Sequence, residues 1–181
     1  MGQGTVLFIF LILCGILLCG CNKLGSTDET ITIGVLLPLT GDWASKGPEF
    51  TAAVDLAAND LNEYYRSIGA HKTVRIVVKD SGTDPARALA QLGAMKNEGI
   101  RVVVGPATSA EMEAVRDYAN RNGILLVGYA STSPSLSIPQ DSVYRVIPDD
   151  RRQAEAAAAL FRNNDIRGRA PRFCGFQRGH A

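Results

Sequence analysis

Residues 101–128 read RVVVGPATSAEMEAVRDYANRNGILLVG. The valines at 102–104, stopped by Gly105, form the short β-branched run that a strand requires. From Ser109 the apolar period changes. Met112, Val115 and Ala119 recur at three- and four-residue steps, so they share one face of a helix running to Asn122. Gly123 is placed to stop that helix, and ILLVG (124–128) opens another strand. Two short strands joined through a helix call for a right-handed unit with parallel strands. Strands this short and apolar are expected to be buried on both faces.

The same alternation continues outward in both directions. TITIGVLLP (30–38) is a β-branched run stopped by proline, and a turn-rich loop occupies 39–48. Pro48 suits a first helical turn. Phe50, Ala53, Val54, Ala57, Ala58, Leu61 and Tyr65 then fall at helical spacing, ending near Gly69. TVRIVVK (73–79) is the next strand and 80–84 a polar loop. Residues 85–98 form a helix expected to turn Ala86, Leu89, Leu92 and Met95 inward before Gly99. Beyond Gly128, a Ser- and Pro-rich loop spans 129–140, and a fifth strand covers 143–147. Asp149 or Asp150 is placed to cap a last helix reaching Asn163. The fold class is therefore α/β, a doubly wound parallel sheet covered on both faces, over residues 30–164.

The 181 residues carry a net charge of +1 and 46% hydrophobic side chains, a composition that fits a globular domain and disfavours disorder or nucleic-acid binding. Residues 1–20 contain no charged side chain, and 6–18 is almost unbroken Leu, Ile, Phe and Val, the shape of a signal-peptide core. Of four cysteines, Cys14, Cys19 and Cys21 lie in or beside this segment. Leu18-Cys19-Gly20-Cys21 resembles the lipobox of prokaryotic lipoproteins, which makes Cys21 the expected lipidation site and 21–29 a polar tether to the membrane. Residues 165–181 contain four arginines without β-patterning and read as an aberrant basic tail.

In an open parallel sheet, ligands sit beyond the carboxyl ends of the strands. The loops to read are thus GDWASKG (41–47), GPATSAE (105–111) and GYASTSPSL (128–136), all rich in Gly, Ser and Thr. Ser109 opens a helix whose N-terminal N–H groups favour an anion. Taken singly, such residues are ordinary turn and cap formers. Three such loops at strand ends point to a small-molecule site. The motifs GxSxG, HExxH, GxxxxGK[ST] and strand-borne GxGxxG are all missing. His71 lies in a polar turn and Cys174 has no partner at metal-ligand spacing, so no catalytic residue, metal or cofactor is expected.

GVLLPLTGDWASKG, VKDSGTDPARAL, VVVGPATSAEM, GILLVGYASTSPSL and VYRVIPDDRRQA together resemble, in order and spacing, the type 1 periplasmic-binding-protein family, in its leucine/isoleucine/valine-binding branch. The resemblance implies a two-lobed clamshell without catalysis, of which residues 30–164 would be the N-terminal lobe and the second lobe would be missing. It implies that Ser109 and Thr132 hold the ligand's α-carboxylate and that Ala130 and Ser131 line the same turn. Trp43, Ser45 and Lys46 would border the ligand side chain, although the Lys46 position is often aromatic in that branch.

The expected function is an extracytoplasmic solute-binding lipoprotein of an ABC transporter, taking amino acids or related small carboxylates and docking on a membrane permease. The chain alone is expected to be inactive. The alternatives are a ligand-binding sensor domain of a receptor, since one fold serves both uses, and, disfavoured by the missing motifs, an α/β enzyme.

Overall fold

The computed structural model describes residues 28–163. The 1–20 segment, Cys21, all but the last two residues of the tether and the 165–181 tail lie outside the described residues. The elements in chain order are β1 (Glu29–Leu37), α1 (Gly47–Ser67), β2 (Lys72–Asp80), α2 (Pro85–Asn97), β3 (Val102–Val104), α3 (Ser109–Asn122), β4 (Leu125–Gly128), β5 (Val143–Arg145) and α4 (Asp150–Asn163). Short 3-10 turns at Ala44–Lys46 and Pro134–Leu136 interrupt two of the loops. The strands form one parallel sheet in the order β2-β1-β3-β4-β5. The expected α/β class and doubly wound parallel sheet are what the chain adopts.

This order follows from handedness. β1 lies between β2 and β3, and the first crossover runs outward to the edge strand β2 while the second returns over β1 to β3. Right-handed crossovers travelling in opposite directions put α1 on one face and α2 and α3 on the other. The α2/α3 face holds the core, where Leu36, Leu92, Met95, Val103, Met112 and Leu126 are all shut off from solvent. Met112, Val115 and Ala119 point inward as their spacing requires. Gly123 closes α3 in the left-handed conformation at φ 62°.

Two expectations need correction. In α2 the buried stripe is Ala88, Leu92 and Met95, whereas Ala86 is exposed and Leu89 is 37% exposed. The cap sets this phase: Asp84 accepts from the Arg87 backbone N–H and Pro85 opens the helix. Packed against both the sheet and α3, the helix then presents i, i+4 and i+7 to the core. Among the described residues, one face of the sheet is covered by a helix only over β1 and β2. Val102, Val104, Leu125 and Val127 remain half-buried and Tyr144 is exposed, because α1 lies only over the β1–β2 side and α4 has no buried residue. Between α1 and the sheet runs an apolar cavity of about 410 Å³, lined by Ile33, Val35, Phe50, Val54, Val104 and Tyr129 among others.

The closed face should therefore carry most of the stability. Leu92→Ala, at a fully buried position, is expected to destabilise the domain by about 2–5 kcal/mol, readable as a fall in the urea midpoint at unchanged m-value.

Candidate functional site

Strand order reverses between β1 and β3, so the crevice expected of such a sheet opens at their carboxyl ends. The three Gly/Ser/Thr loops all stand there: 38–46 after β1, 105–108 after β3, and 129–142 after β4. Gly105, with φ +100° and a cis peptide bond to Pro106, lays its backbone against β1. A Cβ at Gly105 would sit 2.5 Å from the Leu36 carbonyl oxygen, so only glycine lets these chains touch at the reversal point.

The start of α3 is built by a reciprocal cap. The Thr108 hydroxyl accepts from the Glu111 N–H at 3.3 Å, while Glu111 Oε2 accepts from the Thr108 N–H at 3.0 Å and its hydroxyl at 2.7 Å. The backbone N–H groups of Ser109 and Ala110 follow, without acceptors inside the helix. Glu111 is wholly buried, and its Oε1 has no partner among the described residues.

Ser109 and the β4 loop meet directly. The Ser133 N–H donates to Ser109 Oγ at 3.2 Å, which leaves the Ser109 hydroxyl proton free to donate elsewhere. Thr132 is half-buried, and its carbonyl accepts from the Asp150 N–H at 3.0 Å, tying the loop to the first turn of α4. Ser131 is buried with its Oγ unpartnered among the described residues, and Ala130 is half-buried beside it. Arg145 reaches back from β5 to the carbonyl of Ser133 at 2.8 Å and to the Ser137 hydroxyl.

Tyr129 ties the β4 loop to β1 by donating to the Leu36 carbonyl at 3.3 Å and packing edge-on against Phe50 at 5.0 Å. Burial, assisted by the nearby Glu111 carboxylate, pushes the Tyr129 phenol well above its ordinary pKa, so it stays a neutral donor.

The first loop is organised separately. Trp43 is 39% exposed, Ser45 and Lys46 are exposed, and the Lys46 ammonium pairs with Glu49 at 3.3 Å. No hydrogen bond joins Trp43, Ser45 or Lys46 to Ser109 or Thr132 among the described residues. The structure thus brings Ser109, Ala130, Ser131 and Thr132 together and leaves Trp43, Ser45 and Lys46 on the neighbouring loop of the same edge. Asp80, Tyr129, Glu111 and Arg145 support the site but were not among its expected residues. The spacing Thr108-x-x-Glu111 was the available signal for one of them.

Asp80 ends β2, level with Leu37 of β1. Partial burial alone would raise its pKa. Hydrogen bonds from the Thr40 hydroxyl and from the Gly82 and Thr40 N–H groups, with the Arg87 charge, outweigh burial and hold the carboxyl below its usual value. A lowered folded-state value means that the stabilisation is complete above about pH 4 and is lost as pH falls through the folded-state value. Asp80→Asn should accordingly flatten the acid side of a plot of urea midpoint against pH while lowering the midpoint at pH 7.

Among the described residues, what the edge offers chemically is the hydroxyls of Ser109, Ser131 and Thr132, none of them donating, and the N-terminus of α3, a set suited to an anion such as a carboxylate. Among the described residues no group of three or more His, Cys, Asp or Glu side chains is arranged to hold a metal ion.

Comparison with known proteins gives consistent matches. A family model described as periplasmic binding protein matches residues 30–169. A Leu/Ile/Val-binding protein, BraC3 of Rhizobium johnstonii, is 33% identical over 135 residues, covering 74% of this chain and 36% of that protein. Among solved structures, an ABC transporter substrate-binding protein from Desulfitobacterium hafniense in complex with Leu matches with a TM-score of 0.65 and 28% identity, covering 75% of this chain and 39% of that one. The branched-chain amino acid transporter substrate-binding protein LivJ from Streptococcus pneumoniae, in complex with isoleucine, matches at 0.56 and 26%, covering 67% and 35%. The chain thus spans under two-fifths of the length of each of these relatives.

Proposed function

Because the chain belongs to the periplasmic-binding-protein family, we propose that residues 30–164 are one lobe of an amino-acid receptor serving an ABC transporter. The observation that carries this reading is the junction of Ser109 with the 130–133 turn at the α3 N-terminus, a ready grip for the carboxylate that every amino acid presents. The Ser109 and Thr132 hydroxyls and the first N–H groups of α3 hold that carboxylate, and Ala130 and Ser131 shape the turn. Trp43, Ser45 and Lys46 border the ligand's side chain. A second lobe closes the other side, supplies the acid that meets the ammonium group, and signals closure to a membrane permease.

In this reading, residues 1–20 direct export and Cys21 carries the lipid that holds the receptor at the outer side of the membrane. A single acyl chain binds membranes only marginally, so a stable anchor requires two. Mass spectrometry of the membrane-fraction protein is expected to find lipid on Cys21 as the first residue. An unmodified Cys21 still joined to Gly20 contradicts the anchor.

The binding reading is tested by calorimetry on a two-lobed receptor built around this lobe, against a panel of amino acids, sugars and nucleosides. Selective heat from amino acids supports it. Binding restricted to ligands without a carboxylate overturns it.

A further inference from the structure

We propose that Asp80 is a positioning residue for ligand binding: from the end of β2 it clasps the 39–46 loop, fixing Trp43, Ser45 and Lys46 at the crevice. The proposal rests on the amino-acid-receptor reading and adds a residue that touches no ligand.

The geometry is that of a carboxylate with all its acceptor sites committed. Oδ1 accepts from the N–H groups of Leu39 at 3.0 Å, Thr40 at 3.1 Å and Gly82 at 2.8 Å. Oδ2 accepts from the Thr40 hydroxyl at 2.7 Å and from Arg87 Nη2 at 2.8 Å. Arg87 Nη1 also donates to the Thr40 hydroxyl at 3.1 Å, closing a ring of Asp80, Thr40 and Arg87 that joins the loop after β1 to β2 and α2. The Asp80 side chain is 15% exposed, so water competes little for these bonds.

A second tier lies just outside. The Trp43 N–H donates to the Thr83 hydroxyl at 3.1 Å, and that hydroxyl approaches the Thr40 carbonyl at 3.3 Å. Thr83 holds this place with φ +54°, a left-handed conformation that is costly for a threonine. Gly41, at φ +82°, lies so close that a Cβ there would fall 1.9 Å from the Gly82 carbonyl oxygen. The 39–46 loop is therefore held by the loop after β2, with no hydrogen bond to the Ser109–Thr132 grip among the described residues. Its aim toward the crevice is set from Asp80.

Asparagine is the informative replacement because it keeps the shape and removes the charge. Whichever way its amide is turned, the NH₂ group faces groups that can only donate: three backbone N–H groups on one side, the Arg87 guanidinium on the other. The loop then has to move to relieve the conflict.

Trp43 is the single tryptophan of the 181-residue chain, so in that chain its emission reports this loop alone. The experiment compares wild type, Asp80→Asn, Thr83→Gly and Arg87→Lys. It reads Trp43 quenching by iodide and far-UV circular dichroism on the 181-residue chain, and the leucine dissociation constant in a two-lobed receptor built around this lobe. Thr83→Gly keeps the left-handed backbone while removing the Trp43 acceptor, so it decides the matter if Asp80→Asn fails to fold.

The expected result is increased quenching in Asp80→Asn and Thr83→Gly with unchanged secondary structure, and leucine affinity weaker by about tenfold in Asp80→Asn. Arg87→Lys keeps the positive charge but cannot reach both Asp80 and Thr40, so its quenching should rise less than that of Asp80→Asn. Unchanged quenching in a folded Asp80→Asn, or unchanged leucine affinity despite increased quenching, overturns the proposal. A wild-type receptor that fails to bind leucine while quenching still responds to Asp80 removes the leucine reading and leaves the clasp on the loop standing.

Discussion

Gly105→Ala is expected to destabilise the domain by about 3 kcal/mol or more through the addition of one methyl group. Two costs act together. The left-handed region disfavours any L side chain by roughly 1–2 kcal/mol. The added Cβ would also press on the Leu36 carbonyl oxygen at 2.5 Å and on Tyr129 at 3.2 Å, contacts that backbone and ring must move to relieve. Because Leu36 accepts the Tyr129 hydroxyl, relief in one place loosens the other, and the β4 loop loses its tie to β1. Urea denaturation of wild type and variant measures the loss. A change below about 1 kcal/mol would mean that the junction at the strand reversal is softer than its contacts imply.

Ser109→Ala and Thr132→Ala, made singly in a two-lobed receptor built around this lobe, should each weaken leucine binding about tenfold or more. A hydrogen bond to a charged group is worth ~1.5–3 kcal/mol. The two changes should differ in their structural side effects. Ser109 also accepts the Ser133 N–H, so its loss leaves that N–H unpaired and disturbs the turn, whereas the Thr132 hydroxyl has no partner among the described residues. Thr132→Ala is therefore expected to lower affinity with little change in thermal midpoint, and Ser109→Ala to lower both. Calorimetry and thermal unfolding on the same samples separate these outcomes. Unchanged affinity in both variants would make the loops purely structural.

Much of this architecture is legible in local sequence because local physics decides it. The alternation of β-branched runs with helical spacing fixes five strands and their helices, and the glycines at 99 and 123 mark helix ends because each holds a positive φ there. The three site loops are legible as loops, and the parallel topology alone gathers them at one edge. Less was legible where the answer depends on partners distant in sequence. The inward face of α2 was misplaced onto Ala86 and Leu89 because the cap at Asp84 and the contact with α3 set its roll. The uneven covering of the sheet among the described residues was not legible, because Val102–Val104 reads the same whether one face is covered or both. Asp80 read as part of a polar loop, and its role appears only when β1 lies beside β2 and brings Thr40 within reach.

We propose that this lobe grips a carboxylate through the α3 N-terminus and the 130–132 turn, as one wall of a cleft that needs another. One wall makes only a few hydrogen bonds in competition with water, against an association cost of roughly 4–15 kcal/mol, so affinity in the millimolar range or weaker is expected of the lobe alone. The most direct measurement is a titration of the isotope-labelled 181-residue chain with leucine, followed by amide chemical shifts. Weak, saturable shifts centred on Ser109, Ala110 and residues 130–132 are expected, lost in Thr132→Ala. Shifts confined to other loops, or tight micromolar binding by the lobe alone, would contradict the proposal.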